Sequence, residues 1–149
     1  MKRNKQFVWL DPNLYPQYQK NTEEGKFCIA EFKKTITAIT PIDIEITADT
    51  RYMLFVNGDY IGRGPISAGR DFLFVENDLM YYDTYTLPYT KDVEIKVIVT
   101  SKSTVLTENS YTYPGLWVNV MSMGLPIHKI DESWDCRPLT EREDILYTD

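Results

Sequence analysis

The sequence predicts an all-β domain, an antiparallel two-sheet sandwich or jelly roll, and three observations carry that reading. Ile42-Asp43-Ile44-Glu45-Ile46-Thr47 alternates apolar and polar residues without a break, the period-2 pattern of a half-buried strand. Asn57-Gly58 stands between two apolar runs. That is a strong hairpin signal, because a type I′ turn needs positive φ at both central residues and Gly and Asn tolerate it best. No stretch shows the 3.6-residue periodicity of an amphipathic helix, so the crossovers that parallel strands require are missing.

The elements follow in order. Residues 1–26 are polar with scattered aromatics, Trp9, Tyr15 and Tyr18, and contain Pro12 and Pro16. Proline removes a backbone donor and biases its predecessor away from the helical region, so an extended or turn-rich lead-in that packs onto the domain is expected. Strands are expected at 27–34, 42–47, 51–56 and 59–63, then at 72–75, 81–87, 93–99 and 116–123. Within 81–87, Tyr82, Thr84 and Thr86 fall on one face and Asp83, Tyr85 and Leu87 on the other. Gly62, Gly64, Pro65 and Gly69 read as interruptions between strands. Residues 141–146 can form at most one helical turn. Residues 27–137 are read as the sandwich, and 138–149 as a tail or the start of a connection to a further domain.

A length of 149 residues corresponds to one domain, with 43% hydrophobic residues to build a core. The net charge of −6 repels phosphate backbones and anionic lipid, so neither nucleic acid nor membrane is expected as a partner. The basic start, Met1-Lys2-Arg3-Asn4-Lys5, is followed by only Phe7-Val8-Trp9-Leu10, short of the roughly 7–15 apolar residues of a signal sequence. The expectation is a cytoplasmic chain, or one whose leader has been removed. Cys28 and Cys136 form no Cys-x-x-Cys pair, so no zinc site is expected. A disulfide requires the two ends of the chain to meet; the simpler reading is two buried, reduced thiols.

The run Ile46-Thr47-Ala48-Asp49-Thr50-Arg51-Tyr52-Met53-Leu54-Phe55-Val56-Asn57-Gly58, followed by Ile61-Gly62-Arg63-Gly64-Pro65, resembles the N-terminal β-sandwich of bacterial α-L-rhamnosidase-like glycoside hydrolases. Phe32-Lys33-Lys34, Tyr82-Asp83-Thr84-Tyr85, Ile95-Lys96-Val97-Ile98-Val99 and Asp131-Glu132-Ser133-Trp134 extend the likeness over 27–137. It implies a galactose-binding-like jelly roll that precedes a second β-domain and an (α/α)6 barrel. The barrel would carry the acid and base of an inverting reaction, about 6.5–9.5 Å apart. Nothing in this chain is that barrel, so no catalytic residue and no cofactor is assigned. At Lys91-Asp92-Val93-Glu94 the family's Gly-Asn turn is missing, so the turn before the long strand is expected to differ.

The remaining candidates have plain alternatives. Asp49, Asp59, Asp71 and Asp83 read as turn caps and surface solvation, with no dense calcium loop and no assigned metal. His128, the sole histidine, sits between Ile127 and Ile130 and reads as a satisfied strand or loop residue. Gly62-Arg63-Gly64-Pro65 lacks the Lys-Ser/Thr and helix of a phosphate loop; its glycines read as turns and close backbone approach. Tyr111, Tyr113 and Trp117 form an aromatic cluster that would stack on sugar, or fill the end of the sandwich or pack on a catalytic domain outside this chain. Arg63 and Arg70 are candidates for inter-domain carboxylates.

The functional expectation is a non-catalytic accessory domain, a scaffold and docking surface for downstream domains of the same parent chain. The alternatives are a carbohydrate-binding module and a stand-alone interaction domain. On the scaffold reading, monosaccharide affinity is millimolar or weaker, about −4 kcal/mol or less favourable.

Overall fold

The structure, a computed structural model, describes residues 7–19, 27–49, 51–65, 82–88, 91–102 and 114–139. Its strands are β1 (Phe27–Ala38), β2 (Ile42–Asp49), β3 (Arg51–Val56), β4 (Asp59–Gly64), β5 (Asp83–Leu87), β6 (Lys91–Lys102), β7 (Gly115–Ser122), β8 (Leu125–Lys129) and β9 (Asp135–Pro138). They form a five-stranded sheet, β4-β3-β6-β1-β9, and a four-stranded sheet, β5-β2-β7-β8. Every pairing is antiparallel. The described residues contain no α-helix, and the two-sheet antiparallel sandwich expected from the sequence is the fold adopted. The strand expected at 72–75 and the turn at 141–146 lie outside the described residues.

The core is built by alternation. Ile42, Ile44, Ile46 and Ala48 of β2 and Leu116, Val118 and Val120 of β7 face Tyr52, Leu54 and Val56 of β3 and Val93, Ile95, Val97 and Val99 of β6. The long β1–β6 ladder, from Phe27↔Lys102 to Ala38↔Lys91, adds Ala30, Phe32 and Ile36. The lead-in is held to this core. Val8 bridges to Leu116, Leu10 is 1% exposed, and the Trp9 ring lies 5.7 Å from Phe32. Pro16–Tyr18 forms a short 3-10 turn, and Tyr18 supplies the carbonyl that accepts from Trp9 Nε1 at 2.7 Å.

Asn57 and Gly58 have φ of 51° and 82°, as the hairpin expectation required. Asn57 does more than turn the chain: its Oδ1 accepts from Glu94 N and its N donates to Glu94 O, both at 2.9 Å. At the start of β6, where glycine was missing, Lys91 itself takes the left-handed conformation at φ 68°. Two strands were not anticipated. β8 follows a Met123-Gly124 turn, with φ of 53° and 75°, and β9 pairs with β1.

The expectation that Gly62 and Gly64 interrupt regular structure is corrected: both lie in β4, opposite Leu54 and Tyr52. The close backbone approach also read for them is what they serve. The Asp83 and Tyr85 side chains of β5 reach across the sandwich edge to this backbone. A Cβ on Gly62 would lie 2.5 Å from Tyr85 Oη, and one on Gly64 would collide with Asp83 Oδ2 and meet Tyr52 Oη at 2.9 Å. In that space Tyr52 Oη donates to Asp83 Oδ2 and shares a 2.9 Å hydrogen bond with Tyr85 Oη. Burial, then the bond to Asp83, pushes the Tyr52 phenol far above its usual pKa.

Cys28 lies on β1 and Cys136 pairs with Phe32, four residues along that strand. Four residues of strand span roughly 13 Å, well beyond the ~7 Å Cα limit for a disulfide. The strands that carry the two cysteines, β1 and β9, do pair, but the two thiols are not joined.

Gly64→Ala is expected to lose about 1–3 kcal/mol of unfolding free energy by overpacking. Urea denaturation checks this; an unchanged midpoint would remove the close-approach role of Gly64.

Candidate functional site

Trp117 is the one proposed sugar-stacking residue within the described part of the chain; Tyr111, Tyr113 and Arg70 lie outside it. Leu116, Val118 and Val120 of β7 face the core, so Trp117 points to the outer face of the four-stranded sheet. It is nevertheless only 7% exposed. The Tyr82 ring, 43% exposed, lies against it with centroids 5.6 Å apart at 59°. Trp117 therefore offers no free face for stacking in this conformation, and its Nε1 is buried without a hydrogen-bond partner. Arg63 is exposed on the edge strand β4, paired with Met53 and turned away from the core. The structure does not bring Arg63 and Trp117 together, since they lie in different sheets.

A second surface went unread as a site. An open groove of about 1270 Å³ runs between the lead-in and the β8–β9 connection, lined in part by Trp9, Tyr15, Lys129, Glu132 and Trp134. The Asp131-Glu132-Ser133-Trp134 turn lines it. Asp131 Oδ1 accepts from Ser133 N at 2.9 Å and from Ser133 Oγ, and Lys34 Nζ donates to Ser133 Oγ at 2.9 Å. These bonds tighten the turn so that Trp134 swings into the core at 3% exposure. The Ser133 hydrogen bonds hold Asp131 below the usual carboxylate range. A general acid needs the opposite shift. Asp11, on the other wall, accepts from Asn13 N at 2.8 Å and shapes a turn in the same way. Among the described residues no group of three or more His, Cys, Asp or Glu side chains could hold a metal ion.

His128 has the satisfied ring expected of it. It stacks on Trp134 with centroids 5.9 Å apart at 19°, and Trp134 Nε1 donates to His128 Nε2 at 2.7 Å. An acceptor at Nε2 requires a neutral ring protonated at Nδ1.

No protein-family model matches the chain, and no curated protein matches it. Solved structures do. A GH78 family rhamnosidase of Bacillus sp. GL1 superimposes with a TM-score of 0.69 and 24% identity, over 93% of this chain and 14% of that one. The Streptomyces avermitilis α-L-rhamnosidase, solved with L-rhamnose, matches with a TM-score of 0.52 and 16% identity, over 88% and 12%. A lectin of the fungus Pleurotus ostreatus matches with a TM-score of 0.56 and 19% identity, over 89% and 34%. The resemblance to the β-sandwich of rhamnosidase-like enzymes thus holds in three dimensions, at the level of the fold. The chain spans only 12–14% of those rhamnosidase chains.

Burial lowers the His128 pKa from 6.5, opposed by the Asp131 charge and aided by Lys34. The fold therefore favours the neutral ring. Its contribution to stability is fully present above about pH 6.5 and is lost as pH falls through that value toward the lower folded one. His128→Gln keeps an acceptor for Trp134 but cannot titrate there. Denaturation midpoints between pH 8 and pH 5 should fall more steeply in the wild type than in the variant; parallel curves would contradict the assignment.

Proposed function

We propose that this chain is a non-catalytic accessory β-sandwich domain of a rhamnosidase-like glycoside hydrolase, acting as scaffold and docking surface within a larger parent protein. The observation that carries the reading is an apolar end of the sandwich. Ile39 in the β1–β2 turn is 92% exposed, Met123 in the β7–β8 turn 81%, and Leu125 and Ile127 on β8 68% and 43%. The two turns adjoin, because Thr40 Oγ1 bonds Ser122 Oγ. Grouped exposed apolar side chains of this size mark contact surfaces on soluble proteins, and docking between domains of one chain is the commonplace use.

Two further features support it. The fold matches nearly the whole of this chain but a small part of each rhamnosidase chain, which fits a domain of a larger enzyme. Of the groove carboxylates Asp11, Asp131, Glu132 and Asp135, the first two are engaged as turn acceptors, which suits neither of them to act as a general acid. The parent reaction would then belong to other domains.

The purified chain is expected to release no L-rhamnose from an aryl rhamnoside above a buffer blank, and robust release would overturn the reading. Its uncovered apolar end should self-associate weakly in sedimentation, with a dissociation constant on the order of 1 mM. Added salt should strengthen that association by screening the net charge, and Leu125→Lys should abolish it. A strictly monomeric wild type at comparable concentration would remove this end as a docking surface.

A further inference from the structure

The outer face of the four-stranded sheet carries a row of buried polar atoms with no partner. Thr47 on β2 and Trp117 on β7 stand directly opposite in register, as do Glu45 and Asn119 one step along the same face. Thr47 is 0% exposed and Trp117 7%. Thr47 Oγ1, Trp117 Nε1 and Asn119 Oδ1 are all buried without a hydrogen bond. The orientation of the Asn119 amide is chemically forced: its Nδ2 donates to Glu45 Oε1 at 2.8 Å, and the reverse orientation would set two oxygens together. The unpartnered atom is therefore the amide oxygen, an acceptor.

Buried polar atoms are paired in folded proteins, and unpaired ones call for an explanation. Three on one small patch are better explained together than singly. The row presents an indole N–H donor, a hydroxyl that can donate or accept, and an amide acceptor. A guest that satisfies it must both accept and donate over a short span and carry no negative charge, since the Glu45 carboxylate lies one step along the same face. Two adjacent hydroxyl groups on a ring do so. Beside the row, Tyr82 is half exposed and its ring rests on Trp117, an aromatic wall for the apolar face of such a ring.

We propose that this face, between β2 and β7 and walled by Tyr82, is a binding site for a neutral polyhydroxylated ring, a sugar. Three hydrogen-bonding atoms and one aromatic contact set against the cost of association give an affinity on the order of 1 mM. It stands apart from the accessory-domain reading, which the titration below does not touch. Ordered water offers the same hydroxyl chemistry, and the test separates the two.

The test follows the indole N–H resonances of Trp9, Trp117 and Trp134 by NMR in the purified, labelled chain. The Trp117 signal is assigned by its loss in Trp117→Phe. L-rhamnose and D-galactose are titrated separately, with glycerol as a bulk polyol. The expected result is a saturable shift of the Trp117 resonance with at least one sugar, while Trp9 and Trp134, bonded to Tyr18 and His128, stay in place. Thr47→Val removes the hydroxyl without changing its shape. It should leave the thermal midpoint equal or higher and weaken sugar binding about fivefold, the loss of one hydrogen bond. Absence of a saturable shift, the same shift with glycerol, unchanged affinity in Thr47→Val, or a water contact to the indole that persists at sugar saturation would each overturn the proposal.

Discussion

The hydroxyl of Tyr52 is the point on which the two sheets are joined at one side. A sandwich closes its core by matching two inner faces, but its long edges are where the sheets part and water enters. Here the edge strands β4 and β5 come from different sheets and are stitched by a polar cluster. Tyr52 rises from β3 with its ring in the core, and its Oη bonds both Asp83 and Tyr85 of β5. The arrangement works only because β4 offers no side chains at the two positions facing it. Gly62 and Gly64 are backbone pressed against the Tyr85 ring and the Asp83 carboxylate. A phenol so buried is held neutral, which suits a donor to a carboxylate.

This changes the meaning of the Arg51–Pro65 motif. Its recurrence in a glycosidase-like pattern invites a functional reading, with glycines as a loop and an arginine at its tip. In the fold the motif is architecture: the hairpin at Asn57-Gly58, the phenol that closes the edge, and the glycines that make room for it. Arg63 is what remains on the outside. The Asp131–Trp134 element has the same character, a hydrogen-bonded turn that delivers a tryptophan to the core and positions β9 against β1. The motifs by which the chain resembles rhamnosidase sandwiches therefore report the fold.

Much of that fold was legible because it obeys period-2 patterning with standard turn chemistry. Ile42 to Thr47 and the Asn57-Gly58 hairpin needed no tertiary information. β8 was hidden because Met123-Gly124 is an unusual pair for such a turn, and Leu125-Pro126-Ile127-His128-Lys129 contains a proline and no alternation. Proline is tolerated there because β8 is an edge strand. β9 was hidden by its length of four residues. Close approach at Gly62 and Gly64 was legible, but what approaches them was not, since Asp83 and Tyr85 lie about twenty residues on and in the other sheet. For Trp117 the signal was present and passed over: Leu116, Val118 and Val120 claim the core face, which forces Trp117 outward. That Tyr82 would cover it, and that Thr47 and Asn119 would share its lack of partners, follows from strand order, which the sequence does not state.

The account rests on the Tyr52 cluster acting as a cooperative link between the sheets, and a double-mutant cycle tests it most directly. Unfolding free energies would be measured for the wild type, Tyr52→Phe, Asp83→Ala and the double variant. A hydrogen bond to a charged group inside the fold predicts a coupling of about 1.5–3 kcal/mol. Additivity within about 0.5 kcal/mol would show that the two side chains stabilise the sandwich independently, and would contradict the account.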